Sequence, residues 1–363
     1  MTADDDLMLF FADSIRNENM YYLTRFLAED PFIYLGDGER KEILLTSSLE
    51  INRAREESRV SDIRLISDYA DSDPRDIATV LIKLLRDEGI KRVQVEKSFP
   101  VYIADRLRAE GIELLVRDLL VEQRAVKRED EISMIRTVQQ ATSSAMQRAI
   151  DLIRSSRMRE GDLTSEDVKM RILHTLIDLG CESGEPIVAC GKDAANPHST
   201  GSGRLLPDEP IVIDIFPRGM RSRYFADMTR TVLLGEPSEE VLDMYDAVLD
   251  AQKRAISMVK AGVDAADIHN AVNDIFEARG YGTLRKKSES GFIHTTGHGV
   301  GLSLHEPPLI GDKKYILRPG NVITIEPGLY IPSVGGVRIE DLLVVKKTGF
   351  ENLTRFPKES IRL

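Results

Sequence analysis

Three apolar runs in the C-terminal part of the chain each carry a carboxylate where a core-facing strand would carry an aliphatic side chain. They are Asp214 in PIVIDIF, Glu326 in NVITIEPG and Glu340 in GVRIEDLLVV. An ionised carboxylate buried in a strand costs several kcal/mol unless something offsets its lost hydration. A fold that accepts all three must supply a common compensating group. Asp227 in YFADMTRTV and His298 in HTTGHGVG lie among them in sequence. Four carboxylates and one imidazole, mostly on strands, form a donor set suited to two hard or borderline divalent cations.

Composition sets outer limits on such a fold. A chain of 363 residues is long for one core and suits two domains. Its apolar runs fall short of the roughly 18 residues that a membrane span needs. The start, MTADDDLMLFF, is acidic where a secretion signal would be basic. Cys181 and Cys190 are the only cysteines, which argues for a reducing compartment without a disulfide framework. A net charge of −11 repels phosphate backbones and makes nucleic acid a poor partner. These features describe a soluble cytoplasmic protein that acts on a small molecule or a peptide, with no nucleic-acid or membrane partner.

Element signals divide the chain in two. Residues 1–122 read as a small α/β domain: a strand over 7–12, a helix within 15–29, and a hairpin over 32–46 turning at Gly36-Asp37-Gly38. An amphipathic helix over 76–90 and a strand over 93–96 follow, and 101–119 repeats that order. This half has no histidine and no phosphate-binding glycine loop. The charged stretch EQRAVKREDE marks the boundary of a second domain, 123–363. There, helices over 128–156 and 163–180 precede the strands with Cys190, Asp214 and Asp227. Helices over 238–261 and 264–279 precede the strands with His298, Glu326 and Glu340. Helix-helix-sheet occurring twice predicts two related halves whose sheets join in one core. The overall class is α/β (α+β).

Each candidate ligand also has a plain structural explanation. Asp214 and Asp227 would meet at one end of a hairpin turning near Pro217-Arg218-Gly219, or else pair with Arg223 or Arg230. Glu340 shares its expected strand face with Arg338 and Leu342, so an ion pair with Arg338 is the alternative. His294 and His298 stand at i and i+4, but the glycines around them argue against a helix. On an extended strand both would share a face through Thr296. His174 and His269 sit in helical patterns and read as structural. GHGVG does not match a dinucleotide loop. What favours a site is the clustering of all these acids beside the histidines.

The segments VIDIF…YFADMTRT, HTTGHGVGLSLHEPP, ITIEPGLY and GGVRIEDLL resemble the pita-bread metallopeptidases, in the branch of Xaa-Pro aminopeptidases and dipeptidases (prolidases). The resemblance covers nearly the whole chain, including an N-terminal domain like that of the creatinase and prolidase group. It implies that Asp214, Asp227, His298, Glu326 and Glu340 bind two metal ions. Asp227 and Glu340 would bridge them, Asp214 would bind one, and His298 with Glu326 the other. His198, His294 and His305 match positions that contact substrate or stabilise the reacting centre. The preference for proline and the expectation of a homodimer also come from the resemblance alone. The chain departs from the family by two extra residues around RGMRSR, between the first two aspartates.

The expected chemistry follows from those ligands. Two cations about 3.5–4 Å apart share a water and lower its pKa towards neutrality for attack on the scissile carbonyl. Carboxylate-rich coordination favours Mn²⁺, with Co²⁺ or Zn²⁺ as alternatives. Glu326 would relay the proton, and His305 and His198 would hydrogen-bond the carbonyl oxygen and the peptide flank. Arg338 would anchor a substrate carboxylate or else pair with Glu340 or Asp341. Tyr224 and Tyr330 read as pocket wall or core. The expected activity is an Xaa-Pro aminopeptidase, with an Xaa-Pro dipeptidase as the second reading and a non-catalytic binding protein on the same fold as the third. The substrate would be a peptide or dipeptide with proline in second position.

Overall fold

The computed structural model describes residues 7–71, 73–156 and 163–358, and the backbone of 361–362. The acidic start, residues 1–6, lies outside the described residues. The chain divides into two compact units, Met1–Val121 and Glu122–Leu363.

The first unit is built on one mixed sheet. Its strands are β1 (Met8–Ala12), β2 (Phe32–Gly36), β3 (Glu42–Thr46), β4 (Asp62–Leu65), β5 (Arg92–Val95) and β6 (Glu113–Val116), in the order β4-β3-β2-β1-β5-β6. Its helices are α1 (Glu18–Thr24), α2 (Ile51–Glu57), α3 (Ile77–Asp87) and α4 (Val101–Ala109). Leu7 and Leu9 join a core with residues of α3 and α4, while Met8 and Phe10 join one with Met20 and Leu23 of α1. Both faces of the sheet are covered, so LMLFF is apolar throughout rather than alternating. The expected hairpin forms between β2 and β3, its turn held by Asp37 Oδ1, which accepts from the N–H groups of Glu39 and Arg40. The helix expected within 15–29 is shorter. It starts after Asn17, whose side chain caps the Met20 N–H, and ends at Arg25 with φ 55°. Sequence reasoning missed α2 and β4; α2 buries only Ile51 and Ala54, too few to show as a stripe.

The chain enters the second unit through α5 (Val121–Ala125). Helices α6 (Glu129–Ser156) and α7 (Ser165–Asp178) precede β7 (Cys181–Glu182), β8 (Ile187–Cys190), β9 (Pro210–Ile215), β10 (Arg218–Gly219) and β11 (Met228–Leu233). Helices α8 (Glu239–Met258) and α9 (Ala265–Ala278) precede β12 (Gly297–Gly299), β13 (Glu306–Ile310), β14 (Val322–Ile325), β15 (Gly328–Ile331), β16 (Gly335–Arg338), β17 (Asp341–Val345) and β18 (Phe350–Asn352). Last, β19 (Ile361–Arg362) pairs with β11. Helix-helix-sheet therefore occurs twice, as the element order suggested.

Helix boundaries follow from local chemistry. α6 buries Ile132, Ile135, Val138, Thr142, Ala145, Ala149 and Ile153, the three-four spacing of one helical face. α7 begins at a capping box formed by Thr164 and Asp167, and Ser238 caps α8. The two larger sheets run β19-β11-β9-β8 and β13-β12-β14-β17-β18. They meet where residues 338–340 pass beside β11. Glu340 N–H donates to the Thr229 carbonyl (3.1 Å), and Arg338 N–H donates to Thr231 Oγ1 (3.0 Å). The carboxylates gather along this seam.

Candidate active site and metal centre

The hairpin of β9 and β11 places the first two acids. Asp214 lies directly opposite Thr229 in the antiparallel ladder, and Asp227 precedes β11 by one residue. Opposed residues share a face, as do residues two apart, so Asp214, Thr229 and Asp227 all point one way. The alternative arginine partners are engaged elsewhere. Arg230 pairs with Asp341 (2.8 Å), and Arg223 pairs with Glu182 (2.7 Å). The loop between Asp214 and Asp227 forms its own ribbon: β10 pairs with β7, and Arg218 joins Arg223 on Glu182. Phe216 lines the cavity, and among the described residues 218–223 do not. The loop thus ends in a fastened tip that does not line the cavity.

The other ligands correct the mid-strand picture. Of the three carboxylates that stood out in apolar runs, only Asp214 is inside a strand. Glu326 follows β14, and Glu340 stands between β16 and β17, where the chain leaves one sheet for another. A ladder breaks at such a point and frees the side chain to turn into the seam. His298 is the central residue of β12. On either side a side chain is impossible: a Cβ at Gly297 would fall 2.0 Å from the Thr324 carbonyl oxygen, and one at Gly299 would fall 2.5 Å from that of Glu306. Those two glycines let β12 press between β13 and β14.

The expected extended face through His294, Thr296 and His298 does not form. β12 covers only Gly297–Gly299, and Thr296 turns away to meet His269 Nδ1 through its hydroxyl (2.9 Å). His294 and His298 both reach the same cavity by an irregular path. His269 is structural, as read: burial pushes its pKa down to about 4 and keeps the ring neutral at neutral pH. His174 lies on α7.

All five candidate ligands converge. Ligand atoms of Asp227, His298 and Glu340 lie within 4.8 Å of one another. His298 Nε2 is 3.2 Å from Glu326 Oε1 and 3.6 Å from Asp227 Oδ2. Its Nδ1 faces the Gly299 carbonyl (3.1 Å), so the tautomer that donates there aims the Nε2 lone pair at the acids. Burial raises the pKa of Asp214, and raises those of Asp227 and Glu340 well above their ordinary values, and the charges of neighbouring carboxylates, Glu326 among them, add to the rise. Glu326 goes the other way: burial opposes its ionisation, but the hydrogen bond and charge of His298 bring it to about 2.

Among the five candidate ligands, two buried oxygens have no hydrogen-bond partner, Asp214 Oδ1 and Glu340 Oε1. A buried acceptor left unmatched costs about 1–3 kcal/mol, more if charged. Cations that take up those lone pairs remove that cost. The oxygen-rich set with one imidazole has the donors of a divalent-metal centre and none of the thiolates of a structural zinc site.

Arg338 does not form the expected pair with Glu340, nor is it free to anchor a substrate carboxylate. Its Nη2 holds Asp214 Oδ2 (2.8 Å), Nη1 donates to the Tyr330 hydroxyl (2.7 Å), and Nε donates to Thr229 Oγ1 (3.2 Å). A buried guanidinium whose fork is filled by its own protein is a positioning group. Tyr330 continues the chain to His294 Nε2 (3.0 Å), and His294 Nδ1 faces the Thr295 carbonyl (2.6 Å). Burial lowers the His294 pKa and raises that of Tyr330 to about 12, so both stay neutral. Tyr224 belongs to the core and donates to Glu131 (2.5 Å).

A cavity of about 560 Å³ opens onto these groups. His198, His294, His298 and His305 line it with Asp214, Asp227, Glu326 and Glu340. Ile187, Pro197, Phe216, Ile293 and Leu304 supply apolar walls. The His305 ring meets His298 edge-on, with centroids 4.2 Å apart. Sequence reasoning missed Thr229 as a participant and left Tyr330 undecided. Thr229 Oγ1 donates to Glu340 Oε2 (2.8 Å) and so orients a ligand. Its place two residues after Asp227 was the available signal.

Comparison with known proteins agrees with this geometry. The model of metallopeptidase family M24 matches residues 133–347, and that of the Creatinase/Prolidase N-terminal domain matches residues 2–126. An Xaa-Pro dipeptidase of Pyrococcus horikoshii is 31% identical over 355 residues, covering 95% of this chain and 93% of that protein. The crystal structure of an X-Pro aminopeptidase from Thermotoga maritima superposes with a TM-score of 0.84 at 27% identity, over 99% of this chain and 97% of the other. The prolidase of P. horikoshii gives 0.82 at 30% identity, over 98% and 95%. The chain is a member of metallopeptidase family M24, with a Creatinase/Prolidase N-terminal domain preceding the pita-bread unit that carries the candidate ligands.

Proposed function

We propose that the protein is a two-metal Xaa-Pro dipeptidase. The observation that carries the metal chemistry is the pair of orphaned oxygens, Asp214 Oδ1 and Glu340 Oε1, beside His298 and Glu326 in a histidine-lined cavity. Preference for an Xaa-Pro substrate rests on the relatives, and the Pyrococcus dipeptidases put the dipeptide first. The sequence reading ordered these the other way. The aminopeptidase reading stays second, supported by the Thermotoga maritima structure.

In this reading Asp214, Asp227, His298, Glu326 and Glu340 would together hold the ions. When bound, such ions lower the pKa of a water and polarise the scissile carbonyl. Glu326 accepts the proton released in the attack and returns it to the leaving nitrogen. His198 and His305 donate to oxygen as negative charge develops there. His294, kept neutral and oriented by Tyr330, contacts the substrate, and Arg338 holds Asp214 in place. Manganese is the proposed ion, with cobalt or zinc as substitutes. The two free cysteines suit a reducing cytoplasm, and the family resemblance suggests a homodimer.

The test loads the protein with Mn²⁺, Co²⁺ or Zn²⁺ and compares Xaa-Pro with Xaa-Pro-Xaa peptides. Cleavage confined to dipeptides is expected. Cleavage of the longer peptides would move the assignment to an aminopeptidase. If neither is cut with any metal, the protein is not an Xaa-Pro peptidase.

A further inference from the structure

We infer that Lys127 and Arg124 are positioning residues for His305, acting through the carboxylate of Glu306; the role assigned to His305 itself rests on the proposed function. Glu306 is the next residue along, and its side chain is 6% exposed. Lys127 Nζ lies 2.7 Å from Glu306 Oε1, and Arg124 Nη2 lies 2.6 Å from Oε2. The Lys127 side chain is 1% exposed. Arg124 also donates to Ser303 Oγ (2.8 Å), and the Ser303 N–H donates to Glu306 Oε2 (3.3 Å). The glutamate thus ties residues 303–306 to the chain between α5 and α6.

Regular pairing does not fix the shape of this segment. Residues 301–305 form bends with no strand ladder, between β12 and β13. Room for the carboxylate exists because residue 301 is glycine: a Cβ there would fall 2.2 Å from Glu306 Oε1. The Gly301 carbonyl in turn accepts from the Phe225 N–H (2.8 Å), in the loop that leads to Asp227. The near end of the segment is therefore fastened to the ligand hairpin, and the far end to the ion cluster. His305 is held between them, edge-on to His298.

Energetics favour a geometric role over a stabilising one. Three buried charges cost more desolvation than a well-packed apolar cluster of equal volume, which is often neutral or more stable. What they add is direction, because a carboxylate held by two cations from opposite oxygens has one orientation. An apolar plug would fill the space but let the loop settle in several ways. A displacement of about 1 Å at a reacting group costs on the order of 100-fold in rate.

The test is a double-mutant cycle on Lys127→Met and His305→Ala, with Lys127→Arg as the rescue. On an Xaa-Pro dipeptide, Lys127→Met should lower kcat about 10- to 100-fold with metal content unchanged, and Lys127→Arg should restore most of it. In the His305→Ala background the same change should cost less than about 2-fold. Full multiplication of the two losses would overturn the proposal, as would an unchanged kcat. Glu306→Gln keeps the side-chain volume and serves in the same cycle where Lys127→Met does not fold. A readout independent of turnover is the ¹⁵N spectrum of the histidine rings in the metal-free protein. Lys127→Met or Glu306→Gln should move or broaden the His305 resonances and leave those of His174 in place. Unmoved His305 resonances overturn the proposal even if no peptide is hydrolysed, whereas moved resonances without hydrolysis count against the proposed function alone.

Discussion

At the scale of single residues, the site depends on what each carboxylate lacks. Asp214 has one oxygen on Arg338 and the other bare; Glu340 has one on Thr229 and the other bare. That half-satisfied state is what a metal ligand with an orienting neighbour shows. Glu340→Ala should therefore abolish metal binding and hydrolysis together, read by metal analysis and by turnover. If activity persisted with metal lost, the ligand assignment would be wrong. Thr229→Val tests the neighbour: it should keep the fold and weaken metal affinity about 10- to 100-fold by calorimetric titration. The candidate ligands were legible in the sequence because an acid in an apolar run is an anomaly that the code itself displays. Their partners were not. Arg338 could be paired with Glu340 by proximity along the chain, but its true partner, Asp214, is set by which strands become neighbours at the seam.

At the scale of elements, glycine and charge replace regular ladders where the chain must bend into the site. The sequence showed the glycines of HTTGHGVG and the exclusion of a helix that follows from them. It did not show where β12 stops, because the limit comes from contact with the Thr324 and Glu306 carbonyls of the strands on either side. Long amphipathic helices such as α6 and α8 were legible to within a few residues, whereas α2 was not.

The ion cluster at the start of β13 gives this element a pH dependence. Burial works to raise the Glu306 pKa, but Lys127 and Arg124 outweigh it and hold the carboxyl below its ordinary value. A depressed pKa contributes stability that is present above the unfolded-state value, about 4.3, and is lost as pH falls below it. Thermal unfolding of the C-terminal unit followed between pH 6 and pH 3 should therefore weaken on the acid side. Glu306→Gln should flatten that limb relative to the parent. Parallel limbs in the two proteins would assign the acid sensitivity elsewhere.

At the scale of the whole molecule, the two units divide the work. All six histidines and every candidate ligand belong to the C-terminal unit. Within it, Asp214 and Asp227 come from the first helix-helix-sheet half, and His298, Glu326 and Glu340 from the second. Cations bound at the seam would join the halves, so removing them exposes the repulsion among four buried acids. Chelation should lower the melting temperature of the C-terminal unit and leave that of the N-terminal unit unchanged. Returning Mn²⁺ should restore it in a concentration-dependent way, by mass action on the folded state. Calorimetry in which both transitions moved together would show that the metal does not act on one unit alone. The repeated element order was readable from the sequence, but the seam was not, since it is made by residues 338–340 crossing beside β11.

The fastened tip between β9 and β11 bears on how such chains are compared. Asp214 and Asp227 are neighbours because a ladder register fixes them, not because of how many residues separate them along the backbone. The loop between them is taken up by a side ribbon that pairs with β7. A change in the length of that loop would leave the register, and with it the placing of the two acids, as it is.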